Sequence, residues 1–138
     1  MDDLNFAKQN LFGHTICLCR DGKHIFSDKR GIAPMMGFIA EGIDLKGYSV
    51  ADLIVGKAVA MLFVKCGIKS VYAKTLSKSG KKMLERHGIH CEYETLTERI
   101  INREGTDICP MERTVKDTDD IEEGYKLLKE KLRQMTGK

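Results

Sequence analysis

Residues 53–64, LIVGKAVAMLFV, form a twelve-residue apolar run broken by a single charge, Lys57. A helix that is apolar on nearly every face belongs at the centre of a domain, not on its surface. Ser49 upstream is a good N-cap, Asp52 stands three residues on like the acid of a capping box, and Gly67 is a stop signal. The reading is therefore a buried helix from Ser49 to Cys66. An ammonium inside it is costly unless paired or neutral, so Lys57 needs a partner or an exit to solvent. Asp52 is five residues away, about 140° around a helix, and cannot stack on it. Asp107 and Glu112 are the candidate partners, if the chain around them folds over this helix. Gly56 and Ala58 leave room for close approach of a ligand or of another backbone. Lys57 is read either as a lysine presented to a ligand or as one that snorkels outward along its stem.

The flanking patterns build a sheet around that run. HTICLCR and KHIFSDK have strand character and are joined by Asp21-Gly22, a dipeptide suited to a type I′ turn, which predicts an antiparallel hairpin. A short helix over residues 2–12 precedes the hairpin, and Pro34 opens another, PMMGFIAE, that stops at Gly42. Downstream, IKSVYAKTL reads as a strand, SKSGKKMLERHG as a helix capped by Ser77, and IHCEYETL as a second strand. A strand–helix–strand unit implies a parallel pair with a right-handed crossover. TERIINREG reads as a helix over 97–105, CPMERTV begins another, and residues 118–135 form the last, with Ile121, Tyr125, Leu128, Leu132 and Met135 on one stripe. The sum is an α/β fold, three-layer α/β/α with a mixed sheet, in one domain spanning 1–138.

Composition removes several function classes. No uncharged apolar run reaches membrane-spanning length, and the first residues are acidic where a secretory signal would be basic then apolar, so the expectation is a cytoplasmic protein with no membrane partner. Five cysteines, Cys17, Cys19, Cys66, Cys91 and Cys109, are an odd number in mostly apolar surroundings, which fits reduced thiols. A net charge of +3 is too small to argue for nucleic acid. It is nonetheless uneven: from Lys65 to Arg86 there are seven basic residues against Glu85 alone, which predicts a local positive region.

The order of a hairpin, a buried helix, a parallel strand, another helix and a further strand is that of the cytidine-deaminase fold. The segments DLIVGKAVAML (52–62) and IINREGTDICPMERTV (100–115) resemble the bacterial family known as domain of unknown function 1893, and the resemblance runs from the hairpin to Val115. It implies a cytidine-deaminase-like domain of unassigned activity. A working deaminase of that fold carries His or Cys followed by Ala-Glu at the start of its buried helix and Pro-Cys-x-x-Cys at the start of the next. The matching stretches here, Asp52 to Lys57 and Thr75 to Ser79, contain neither. The expectation is a zinc-free domain with no metal site and no cofactor.

Three helix starts are then the candidate site. Pro110 suits a first helical position, making Cys109 the N-cap and Glu112 the third helical residue, able to accept from the Cys109 N–H. A thiol at a helix start can be activated as a thiolate, which makes Cys109 the one candidate catalytic residue, for sulfur or acyl transfer; the plain alternative is a half-buried cap, and the nearby Glu112 opposes a thiolate. Lys74 to Gly80 leads from a strand end into a helix start, where Ser77 and Lys78 suit an anion. Asp52, Gly56, Lys57, Ser77, Lys78 and Glu112 are the candidate ligand-binding residues, for a small anionic, nucleotide-like ligand. The alternative is a non-catalytic interaction protein that forms a homo-oligomer through Met35, Met36, Phe38 and Ile39 and the C-terminal helix stripe.

Overall fold

A computed structural model describes residues 2–102 and 104–136. The elements run α1 (Asp3–Gln9), β1 (Ile16–Arg20), β2 (Lys23–Ser27), α2 (Ala33–Ala40), β3 (Ser49–Val55), α3 (Lys57–Lys65), β4 (Ser70–Ser77), α4 (Lys78–Arg86), β5 (His90–Thr97), α5 (Pro110–Thr114) and α6 (Ile121–Thr136). The strands form one mixed sheet in the order β2-β1-β3-β4-β5. β1 pairs antiparallel with β2 and β3, while β3, β4 and β5 are parallel. The hairpin turns on Asp21 (φ 49°) and Gly22 (φ 80°), the two positive-φ positions that a type I′ turn requires.

Both parallel crossovers step in the same direction along the sheet, so their equal handedness lays α3 and α4 on one face. That face carries the main core: Leu18, Val50, Val71 and Leu76 from the strands meet Met35, Met61, Phe63, Leu84 and Leu128 from the helices. The other face is covered by α1, whose Leu4 and Ala7, with Leu11 just beyond it, pack on Cys17, Cys19, Ala51 and Tyr72. The three layers are thus unequal, one helix on one side and the rest on the other. No helix of the described residues is long and apolar enough to cross a membrane.

Two elements differ from the sequence reading. The Ser49–Cys66 segment is not one helix but strand β3 followed by helix α3, with Gly56 as the helix cap. Ser49 caps nothing: it is 2% exposed, and its hydroxyl meets that of Ser70 across the parallel strands at 2.7 Å. A strand buried on both faces is a continuous apolar run, and periodicity cannot separate it from a buried helix. The second difference is at 97–105. β5 extends to Thr97 and no helix follows among the described residues of that stretch; Arg103 lies outside them. Instead Ile101 and Ile108 form an isolated antiparallel bridge around a turn in which the Asn102 side chain accepts from the Thr106 N–H at 3.0 Å. Asparagine closing a local turn with its own carbonyl competes with helix formation.

Candidate functional site

The starts of α3 and α4 touch. A Cβ built on Gly80 would lie 3.0 Å from the carbonyl carbon of Gly56, so position 80 takes the smallest residue where the two helices begin side by side. Ser77, fully buried, caps α4 by accepting from the Gly80 N–H at 3.0 Å. Its neighbour Ser79 is exposed beside the start of α3.

α5 comes down on this junction and contributes its acid. The Glu112 carboxylate accepts from the Lys57 N–H at 2.8 Å and from the Ala58 N–H at 2.6 Å, one oxygen to each. It fills the place an anion would take at the start of α3 and removes two of that helix's unpaired donors. The anticipated capping box at Cys109 does not form, because the Cys109 N–H bonds to the Ile100 carbonyl at 3.0 Å and Glu112 faces a different helix. Gly56 makes this possible: a Cβ there would sit 2.3 Å from a Glu112 oxygen. Burial raises the Glu112 carboxyl above its ordinary range, against the lowering pull of the Ala58 and Lys57 N–H groups and the Lys57 charge.

Lys57 finds its partner in neither anticipated side chain. Its ammonium pairs with Asp119 at 2.9 Å and approaches the Lys116 carbonyl at 3.3 Å, with 12% of the side chain exposed. Asp119 also holds Arg86 of α4 at 3.1 Å, and these two bases keep its carboxyl below the usual range. Glu112 was the right neighbour for the wrong reason, since it meets the Lys57 backbone. Asp119 stands sixty-two residues downstream, with no motif in the sequence to connect it to Lys57.

Around these contacts opens a cleft of about 360 Å³ lined by Lys57, Ser79, Arg99, Ile108, Glu112, Arg113 and Lys116. Four of those side chains are cationic and one is acidic. Arg113 is paired with Asp107 at 2.6 Å, while Arg99 and Lys116 form no ion pair among the described residues. A second hollow of about 170 Å³ shares Lys57 and Ser79 and adds Lys82, Met83, Arg86 and Asp119. The positive region expected over 65–86 thus reaches the adjoining hollow through Lys82 and Arg86, while the cleft itself draws on Arg99, Arg113 and Lys116, whose spacing along the chain carries no motif.

The remaining candidates lie differently. Lys78 points away and pairs with Glu98 at 2.5 Å on the surface. Cys109 is half-buried, packs its side chain against the main core, and is not among the lining residues of the cleft. Asp52 lies on β3 in a separate cavity with Thr15, Arg30 and Gly31. Gly56 lies against the Glu112 carboxylate, next to Lys57. Met35 and Met36 are buried in the core, and of the C-terminal stripe Leu128 is fully buried while Met135 is 56% exposed. Among the described residues no group of three His, Cys, Asp or Glu side chains is placed to hold a metal ion.

The family model described as "TM1506: Domain of unknown function (DUF1893)" matches residues 7–132. The crystal structure of a DUF1893 family protein from Thermotoga maritima superposes with a TM-score of 0.85 at 24% identity, covering 95% of this chain and 91% of that one. A diaminohydroxyphosphoribosylaminopyrimidine deaminase/5-amino-6-(5-phosphoribosylamino)uracil reductase from the same organism superposes with a TM-score of 0.48 at 15% identity, over 67% of this chain and 35% of that one. No curated protein matches the chain.

Proposed function

The chain belongs to the DUF1893 family, and from that premise and the cleft geometry we propose that it is a binding domain for a small anionic, nucleotide-like ligand, held where α3, α4 and α5 begin. The observation that carries the reading is the imbalance of charge: Arg99 and Lys116 form no ion pair among the described residues, Lys57 and Arg113 are already matched by Asp119 and Asp107, and the one lining acid, Glu112, is engaged by backbone N–H groups. Lining cations of one sign in a concave, partly enclosed site raise the local concentration of anions. Arg99 and Lys116 offer charge for a phosphate, Ser79 a hydroxyl, and Ile108 an apolar wall. Gly56 and Ser77 act indirectly, one admitting Glu112 and the other fixing the start of α4. Binding is favoured over thiol transfer at Cys109, because the sulfur packs on the core and away from this lining.

A thermal-shift series with inorganic phosphate, ribose 5-phosphate and AMP tests this. A ligand that binds only the folded state raises the melting temperature in proportion to the logarithm of its concentration, by about 2.7 kcal/mol of stability at a hundredfold excess over Kd. Stabilisation by at least one of the three, lost in Arg99→Ala and Lys116→Ala, is the expected result. Identical melting curves throughout would refute the reading.

A further inference from the structure

We propose a second binding site, independent of the anion cleft, in which Asp52 and Arg30 hold the ammonium and the carboxylate of a free α-amino acid. Asp52 is 8% exposed and belongs to β3, where its Cα neighbours are Ile16 of β1 and Ala73 of β4. What exposure it retains is toward a cavity of about 280 Å³ whose lining includes Thr15, Arg30, Gly31, Leu53 and Ile54. Among the described residues no side chain hydrogen-bonds or pairs with its carboxyl; the nearest donors are the backbone N–H groups of Leu53 and Ile54. Those N–H groups satisfy the carboxyl as a hydrogen-bond acceptor but supply no counter-charge, so its ionised form is left buried without a cation among the described residues. Arg30 lines the same cavity, is exposed, and forms no ion pair with Asp52 or any other described acid.

The two charges select the ligand. A simple amine would satisfy Asp52 but be repelled by the guanidinium, and a simple acid would be attracted to Arg30 and repelled by Asp52 once ionised. A small zwitterion satisfies both: its ammonium beside Asp52 offsets the burial of that carboxylate, and its carboxylate meets the planar guanidinium fork. The single Thr15 O–H proton is shared between the Ser27 and Lys29 carbonyls at 2.9 and 2.5 Å, so this hydroxyl has no proton left to donate to a ligand. Leu53 and Ile54, the latter 54% exposed, offer apolar surface for an aliphatic side chain.

Isothermal titration calorimetry with a panel of standard α-amino acids tests the site. At least one should bind saturably below about 10 mM, with its decarboxylated amine and its deaminated acid each tenfold weaker or worse. Arg30→Ala, a change at an exposed position, should weaken the amino acid tenfold or more while the amine, freed of the repelling guanidinium, binds more tightly than to the wild type. Asp52→Asn, verified as folded by circular dichroism, should abolish binding of both. Absence of saturable binding across the panel overturns the proposal, and so does equal affinity for zwitterion and amine, or an unchanged Kd in Arg30→Ala.

Discussion

Asp52 is buried and Glu112 half-buried, and the protein treats the two acids oppositely. Glu112 is given two N–H donors and a nearby ammonium; Asp52 has only its own strand's backbone, and burial pushes its carboxyl from 3.8 up to about 7. A folded-state value above the unfolded one means the native state binds the proton more tightly. The stability Asp52 contributes is complete below 3.8, declines as the pH climbs, and is gone above about 7. Asp52→Asn removes that dependence. Measured by urea denaturation, the variant should gain on the wild type by on the order of a few kcal/mol between about pH 4 and about pH 7.5. A difference that stays constant with pH would mean that the carboxyl is solvated in the native state. None of this was legible from the sequence, which put Asp52 on a helix cap. The role of a lone acid depends on which strand lies over it.

At the level of elements, what the sequence concealed was the boundary between β3 and α3. The hairpin, α2, β4, α4, β5 and α6 were legible because each has a local signal: Asp-Gly at a turn, Pro34 inside a helix start, a serine cap at Ser77, an amphipathic stripe on α6. β3 and α3 form one apolar block in which both strand and helix are buried, so neither alternation nor a 3.6-residue stripe appears. Gly56 was the one clue, and its purpose is spatial. Because a Cβ there would come 2.3 to 2.8 Å from the Glu112 carboxylate, Gly56→Ala must push α5 off the start of α3. Two buried N–H groups then lose their acceptor, at a cost of about 2 kcal/mol or more. Equilibrium denaturation should register the loss, and amide exchange at Lys57 and Ala58 should accelerate. Unaltered exchange at both amides would show that Glu112 shifts without releasing them.

Across the whole molecule, charge ties the late part of the chain to the early part. Asp119, just ahead of α6, joins Lys57 on α3 to Arg86 on α4. Lys57 lines the proposed anion site and Arg86 the adjoining hollow, so Asp119 competes for Lys57 with any ligand in the cleft. Asp119→Asn should therefore bind inorganic phosphate several-fold more tightly, with a steeper dependence on ionic strength, as read by titration at low and high salt. Equal affinity in variant and wild type would separate Lys57 and Arg86 from the ligand. The seat of Glu112 has a related consequence. A carboxylate held over the start of α3 by the packing of α5 acts as an intramolecular occupant, at an effective concentration that a diffusing anion reaches only in the millimolar range or above. A weak or abundant anion cannot evict it, and only a molecule that gathers Arg99, Lys116 and Ser79 together gains enough to settle alongside.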